Sequence, residues 1–134
     1  IIMIEIKYID AILNLRHNAA FSVEGDDYES IIWYDNVQTK PTKEEIDTEL
    51  IRYKHEWKLN EIRSKRDLLL MESDKYSFTD FPHSSEEKKQ EWLTYRQSLR
   101  DITNNLDTTT IELYLDEFQE IQFSNFTWIS KPIK

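Results

Sequence analysis

The stretch TKPTKEEIDTELIRYKHEWKLNEIRSKRDLLLMESDK, residues 39–75, decides the fold because it has the length and pattern of one long helix. It contains no glycine, and no proline follows Pro41. Thr42 stands three residues before Glu45, the capping-box spacing in which two side chains bond free backbone amides at a helix start. Apolar residues then recur at intervals of four, three and four: Ile46, Leu50, Tyr53 and Trp57. This seam predicts a helix that begins near Thr42.

The predicted long helix carries two apolar surfaces. The seam fades at Asn60 and Ser64, and a second apolar cluster at residues 68–71 lies on a rotated face. We therefore expect a helix that packs on two successive neighbours rather than an extended coiled coil. Two partners fit the first seam: a second copy of the chain, forming a homodimer across a two-fold axis, or the N-terminal part of the same chain.

The N-terminal region has β-prone character. Residues 1–17, IIMIEIKYIDAILNLRH, combine a β-leaning start with a short helical spacing, so strand and helix both stay open. Residues 21–24 and 29–34 are β-prone runs separated by the turn-forming Gly25-Asp26-Asp27, a pattern typical of a β-hairpin. An isolated hairpin is marginal in water. We therefore expect its apolar residues to pack on a helix or a third strand.

Beyond the long helix, YSFTDFPHSS (residues 76–85) contains Pro82 and interrupts the helical pattern. Ser84 and Glu87 have the spacing of a second capping box. The helix they open contains EWLTYRQSLRDIT, residues 91–103, and is predicted to end near the asparagines at 104–105. Its apolar face carries Trp92, Tyr95, Leu99 and Ile102.

A further helix is predicted to begin at Thr109, with Glu112 as its reciprocal cap. It would turn four apolar residues inward: Ile111, Tyr114, Leu115 and Phe118. The remaining residues, IQFSNFTWISKPIK at 121–134, are predicted to form an extended aromatic tail.

These elements predict an α+β fold. An N-terminal β-hairpin packs on a long helix, which is followed by two shorter helices and the extended aromatic C-terminal tail. Residues 1–40 form the hairpin region and residues 41–134 the helical region, and together they are expected to make one compact domain.

Composition argues against several partner classes. The 134-residue chain has 17 Lys and Arg against 26 Asp and Glu, a net charge of −9. Phosphates and anionic lipids attract basic surfaces, so we expect no nucleic-acid and no membrane partner. No run approaches the roughly 18–20 apolar residues of a membrane span. The opening IIMIEI lacks the basic leader of a signal peptide, which favours an intracellular location.

Few residues suggest catalysis or metal binding. The chain has no cysteine and one glycine, which argues against thiolate chemistry, cysteine–zinc sites and phosphate-binding glycine loops. Its histidines, His17, His55 and His83, show no metal-ligand spacing. The acidic pairs at 26–27, 44–45 and 86–87 fall in a turn and in first helical turns, where negative charge is favoured. We expect no enzyme, no cofactor and no metal site, with carboxylate-only chemistry left open.

One gapped series of residues has a counterpart in a known family. Arg66, Ser73, Asp74, Pro82, Trp92, Tyr95, Arg96, Leu99, Arg100 and Asp101 occur in that order within residues 66–103. This series resembles the phage tail assembly chaperone family, and FTWISKP (126–132) resembles its closing segment. The helix start at 33–50 is similar to that of many tail-associated phage proteins. Two features depart from the pattern: Lys75 stands where the family often has Trp, and residues 104–125 look like additional material.

The resemblance implies a non-enzymatic factor for phage tail or tail-fibre assembly that binds a tail or tail-fibre protein in the host cytoplasm. Two alternatives stay open: a structural tail component that remains in the virion, and an acidic protein-interaction module with another partner. Trp, Tyr and Arg are the residue types that dominate protein–protein hot spots. The candidate partner-binding residues are therefore Trp92, Tyr95, Arg96, Arg100, Trp128, Lys131 and Pro132.

The helix face of residues 92–102 has two interpretations. Its aromatic residues suit a core as well as a binding surface. Arg96 and Arg100 lie on neighbouring turns, where each could bind an acid such as Asp74 or a client carboxylate. We assign Arg96 to the interior and Arg100 to the client.

Overall fold

The structure is a computed structural model that describes residues 1–133 and shows a mixed α+β fold, as predicted. The helices are α1 (Tyr8–Leu15), α2 (Lys43–Ser73) and α3 (Glu86–Arg100). The strands are β1 (Ile2–Met3), β2 (Phe21–Ser22), β3 (Ile32–Trp33), β4 (Glu112–Leu115) and β5 (Ile121–Ser124). Short 3₁₀ turns occupy Tyr28–Ser30 and Asp74–Ser77. None of the helices in residues 1–133 is both long and apolar enough to span a bilayer.

The chain forms two compact units. The first comprises Ile1–Trp57 and Glu112–Gln122, and the second comprises Lys58–Ile111 and the described residues from Phe123 onward. Helix α2 contributes its first half to one unit and its second half to the other. The predicted division after residue 40, and the single compact domain, stay predictions.

The first unit is built around the start of α2. Strands β2 and β3 pair antiparallel, with Phe21 opposite Trp33 and their rings stacked 5.7 Å apart. The predicted hairpin is therefore present, although a 3₁₀ turn shortens its strands. Its apolar side chains pack on a buried core shared by α1 and α2: Tyr8, Ala11, Ile12, Ile31, Ile46 and Leu50. The first half of the predicted seam is thus covered within the chain.

The helix predicted from Thr109 is wrong. Residues 112–115 form strand β4, which pairs antiparallel with β1 so that Met3 lies opposite Tyr114. The three-stranded sheet has the order β1-β4-β5. Two shorter α-helices do accompany α2, but within residues 1–133 α1 precedes it and α3 is the one α-helix that follows it. Residues 1–17, left open between strand and helix, contain both.

Helices α2 and α3 both begin with a capping hydroxyl side chain, and the cap of α3 lies one residue later than predicted. At α2, the Thr42 N–H donates to Glu45 Oε1 at 3.0 Å and the Glu45 N–H donates to Thr42 Oγ1 at 3.1 Å, which confirms the predicted capping box. At α3, the cap is Ser85 and not Ser84: the Lys88 N–H donates to Ser85 Oγ at 3.0 Å. The capping-box spacing to Glu87 favours Ser84, but the helix uses a serine cap without the reciprocal Glu, because the residue three places after Ser85 is Lys88.

Candidate functional site

The end of α2 and the C-terminal half of α3 meet at a buried arginine, Arg96, in the second unit. Arg96 Nη1 donates to the Leu70 carbonyl and to Ser73 Oγ, both at 2.7 Å. Arg96 Nη2 pairs with Asp74 Oδ1 at 2.8 Å. The last carbonyls of a helix lack partners within it. Arg96 supplies one of those partners and places a positive charge where the helix dipole favours it.

Aromatic packing surrounds this arginine. A buried cluster, here called the α3 cluster, consists of Tyr76, Trp92, Tyr95 and Leu99. The Trp92 ring stacks on Tyr76 with centroids 3.7 Å apart and meets the edge of Tyr95 at 5.8 Å. Burial raises the pKa of the Tyr95 hydroxyl, and the Glu72 charge adds to the shift. The helix face that suggested a binding surface is therefore largely core.

The outer side of α3 borders an open groove of about 760 Å³, here called the C-terminal groove. One wall is the polar face of α3, and the other is the chain segment 129–133. Its volume lies in the range of ordinary ligand-binding clefts. The wall of α3 carries three carboxylates: Glu86, Glu87 and Glu91. The groove is a surface on which a partner can dock.

The seven predicted partner-binding residues differ in burial, and the structure does not bring them together on one surface. Trp92, Tyr95 and Arg96 are buried, with 1%, 5% and 7% of their surface exposed. Trp128 is half-buried and packs against the α3 cluster. The exposed Arg100 contacts Gln97 on its own helix, and its Nη1 lies 3.4 Å from Gln97 Oε1.

The C-terminal groove brings together three of the seven: Tyr95, Lys131 and Pro132. Sequence reasoning missed the acidic wall and the apolar Ile129 and Ile133. The wall does have a sequence signal, because Glu87, Glu91, Thr94 and Ser98 recur at helical spacing. Such a polar stripe normally indicates only a solvated helix face.

The family motif gains a structural explanation from these contacts. Ser73, the last residue of α2, and Asp74, the first residue of the 3₁₀ turn that follows, bind Arg96 from α3. Asp101 closes α3, where its backbone N–H bonds the Gln97 carbonyl. Lys75, at the position where the family often has Trp, lies with its Nζ 5.1 Å from the centre of the Tyr76 ring.

Comparison with known proteins agrees with this pattern. The family model described as phage tail assembly chaperone protein matches residues 59–132, more than half of the 134-residue chain. The match begins one residue after the second unit begins and extends across residues 104–125. No curated protein and no solved structure matches the chain. The chain therefore belongs to the phage tail assembly chaperone family, and its role lies in the assembly of phage tails.

Proposed function

We propose that the protein is a non-enzymatic assembly factor that binds a phage tail or tail-fibre protein in the host cytoplasm. It binds this client stoichiometrically and covers its apolar surface until the tail is built. The observation that carries the proposal is the placement of the family motif. The motif residues Ser73, Asp74 and Arg96 hold α3 against the end of α2, and the opposite side of α3 borders an open groove.

Deleting the gene from the phage genome tests this function. We expect lysates with heads that lack complete tails, and recovery of tailed particles when the wild-type chain is supplied from a plasmid. Mass spectrometry of purified wild-type particles then separates the two assembly roles. A transient chaperone is absent from particles, whereas a structural tail component is present in them. A deletion phage that yields normal numbers of infectious, tailed particles would refute both.

A homodimer through Ile46, Leu50, Tyr53 and Trp57 stays a prediction. Ile46 and Leu50 are buried in the core of the first unit, whereas Tyr53 and Trp57 are half-buried. A two-fold contact on this helix would therefore use Tyr53 and Trp57. Light scattering that gives the mass of one chain at micromolar concentration would end the dimer hypothesis.

A further inference from the structure

The wall of the C-terminal groove opposite α3 has a free backbone edge. Residues 126–133 belong to no helix or strand. Their backbone groups make no hydrogen bond to another residue in the described part of the chain. Backbone N–H and C=O groups without partners can pair with a second chain that lies alongside them in extended form.

The groove also combines apolar contact surface with unpaired negative charge. Ile129 and Ile133 contribute apolar surface beside the buried Tyr95, and Ile133 is 82% exposed. Among the carboxylates, Glu91 pairs with Lys88 at 2.8 Å. Glu86 and Glu87 are exposed and form no ion pair within residues 1–133. The three carboxylates outnumber the one cation among the described lining residues, Lys131, so a ligand with both apolar and basic side chains matches these walls.

The dimensions suit a short peptide segment. From Glu86 to Ser98 the groove follows α3 over 13 residues, a distance of about 18 Å at the helical rise. An extended chain covers that length with about five or six residues. Because side chains alternate along a strand, such a segment can direct one set to the apolar wall and the other to the carboxylates.

We propose that the C-terminal groove binds an extended segment of the client tail protein in which apolar residues alternate with Lys or Arg. This inference rests on the proposed function. The client backbone pairs with the free N–H and C=O groups of residues 129–133, where Pro132 offers only its carbonyl. Its apolar side chains cover Ile129 and Ile133, and its cations pair with Glu86 and Glu87. Opposite charges across an interface contribute chiefly to specificity and to the rate of association.

Peptide binding to the full chain tests the proposal. The probes are fluorescein-labelled 12-residue peptides that overlap along the tail proteins encoded by the same phage genome, with fluorescence anisotropy as the readout. We expect the tightest peptides to alternate apolar and basic residues, and to lose binding when each Lys or Arg is replaced by Glu. Binding should also weaken as salt rises, because exposed charges are screened.

Two variants with matched controls locate the site. Glu87→Lys should weaken peptide binding by about tenfold. Glu44→Lys makes the same change at the second residue of α2 and should leave binding unchanged. Ile133→Ser should also weaken binding. Ile51→Ser, at a residue 72% exposed on α2, should not.

The outcomes separate this inference from the proposed function. If Glu87→Lys and Ile133→Ser bind the peptides as wild type does, the groove proposal is wrong. Co-purification of the intact tail protein with the wild-type chain would then still support client binding. If no intact tail protein co-purifies with the wild-type chain, the proposed function itself fails. A wild-type homodimer that Ile133→Ser dissociates, without peptide binding, would assign the groove to a second copy and overturn the proposal.

Discussion

At the scale of single residues, Arg96 explains how a charged side chain is accommodated on the apolar face of α3. Its guanidinium reaches the Leu70 carbonyl, Ser73 and Asp74. Hydrogen bonds to charged groups are stronger than neutral ones, and a buried partner left without its bond carries the full desolvation cost. The predicted interior role of Arg96 follows from these contacts, and the predicted client role of Arg100 stays a prediction.

We expect Arg96→Ala to lower the free energy of unfolding by about 2–3 kcal/mol, because buried Ser73 and the Leu70 carbonyl lose a donor. Arg100→Ala removes an exposed side chain and should change it by less than about 0.5 kcal/mol. Urea unfolding followed by circular dichroism measures both. Equal effects of the two substitutions would contradict the interior role of Arg96.

Trp92 is the largest fully buried side chain of the second unit. We expect Trp92→Ala to cost about 3–5 kcal/mol, because the indole leaves a cavity beside the stacked Tyr76 ring. Leu93→Ala on the same helix is a suitable control, since Leu93 is 38% exposed and should cost far less. Similar urea midpoints for the two variants would be inconsistent with this packing.

At the scale of elements, the start of α2 makes the fold sensitive to acid. Hydrogen bonds from the backbone and side chain of Thr42 lower the pKa of Glu45 below its ordinary 4.5. A carboxyl group with a depressed folded-state pKa stabilises the fold above its unfolded pKa, and this contribution is lost as pH falls through the folded value. The cap is therefore expected to weaken below about pH 4.5.

Melting temperatures of wild type and Glu45→Gln between pH 3 and 7 measure this contribution, since Gln keeps the hydrogen-bonding shape without the charge. Wild type should be the more stable of the two at pH 7, and the difference should shrink towards pH 3. The pKa values of Asp35, Asp47 and Asp116 are also lowered by hydrogen bonds, but they are common to both proteins. A difference that stays constant with pH would exclude the cap as a source of acid sensitivity.

Helix α2 could be predicted from sequence because its evidence is local. The Thr42–Glu45 cap and the spacing of Ile46 and Leu50 are read within a few turns, and both features have their expected roles in the structure. The family motif in residues 66–103 could also be identified from the sequence alone. The contact of Arg96 with Asp74 was predicted as one of two options, and the structure shows it.

Strand β4 was missed because its stabilising partner is distant in sequence. The residues at 111–115 fit a helix by the spacing of Ile111, Tyr114 and Leu115, but Ile111 and Leu113 are the most buried of them and alternate as in a strand. Strand β1, more than a hundred residues earlier, supplies the pairing. The turn after β4 has no glycine: Gln119 adopts a φ of +63°, and the Asp116 carboxylate accepts from the Phe118 and Glu120 N–H groups.

The C-terminal groove also could not be predicted from sequence. Its two walls come from α3 and from residues 129–133, which no local pattern brings together. Tyr95, Lys131 and Pro132 were selected for other reasons, and the packing of the second unit brings them to one groove. The acidic face of α3 can be interpreted as part of a binding surface only once residues 129–133 are seen to lie opposite it.

At the scale of the whole molecule, the net charge of −9 should govern solubility. The isoelectric point of the sequence is about 4.8, and repulsion between copies vanishes near that pH. We expect solubility to be lowest near pH 4.8 and to rise towards pH 7. Turbidity of the purified chain across this range measures the effect, and a minimum far from the isoelectric point would point to association through apolar surface instead.

Hydrogen–deuterium exchange of the full chain, free and bound to its tail protein, tests most directly whether the client docks at the C-terminal groove. In the free chain, the unpaired amides of residues 129–131 and 133 should exchange rapidly, whereas the amides of α3 around Trp92 and Arg96 should be protected. Binding of the tail protein should protect residues 129–133 and leave the exchange of strands β1 and β2 unchanged. Unchanged exchange at 129–133, with new protection confined to another surface such as α2 residues 68–71, would contradict the assignment.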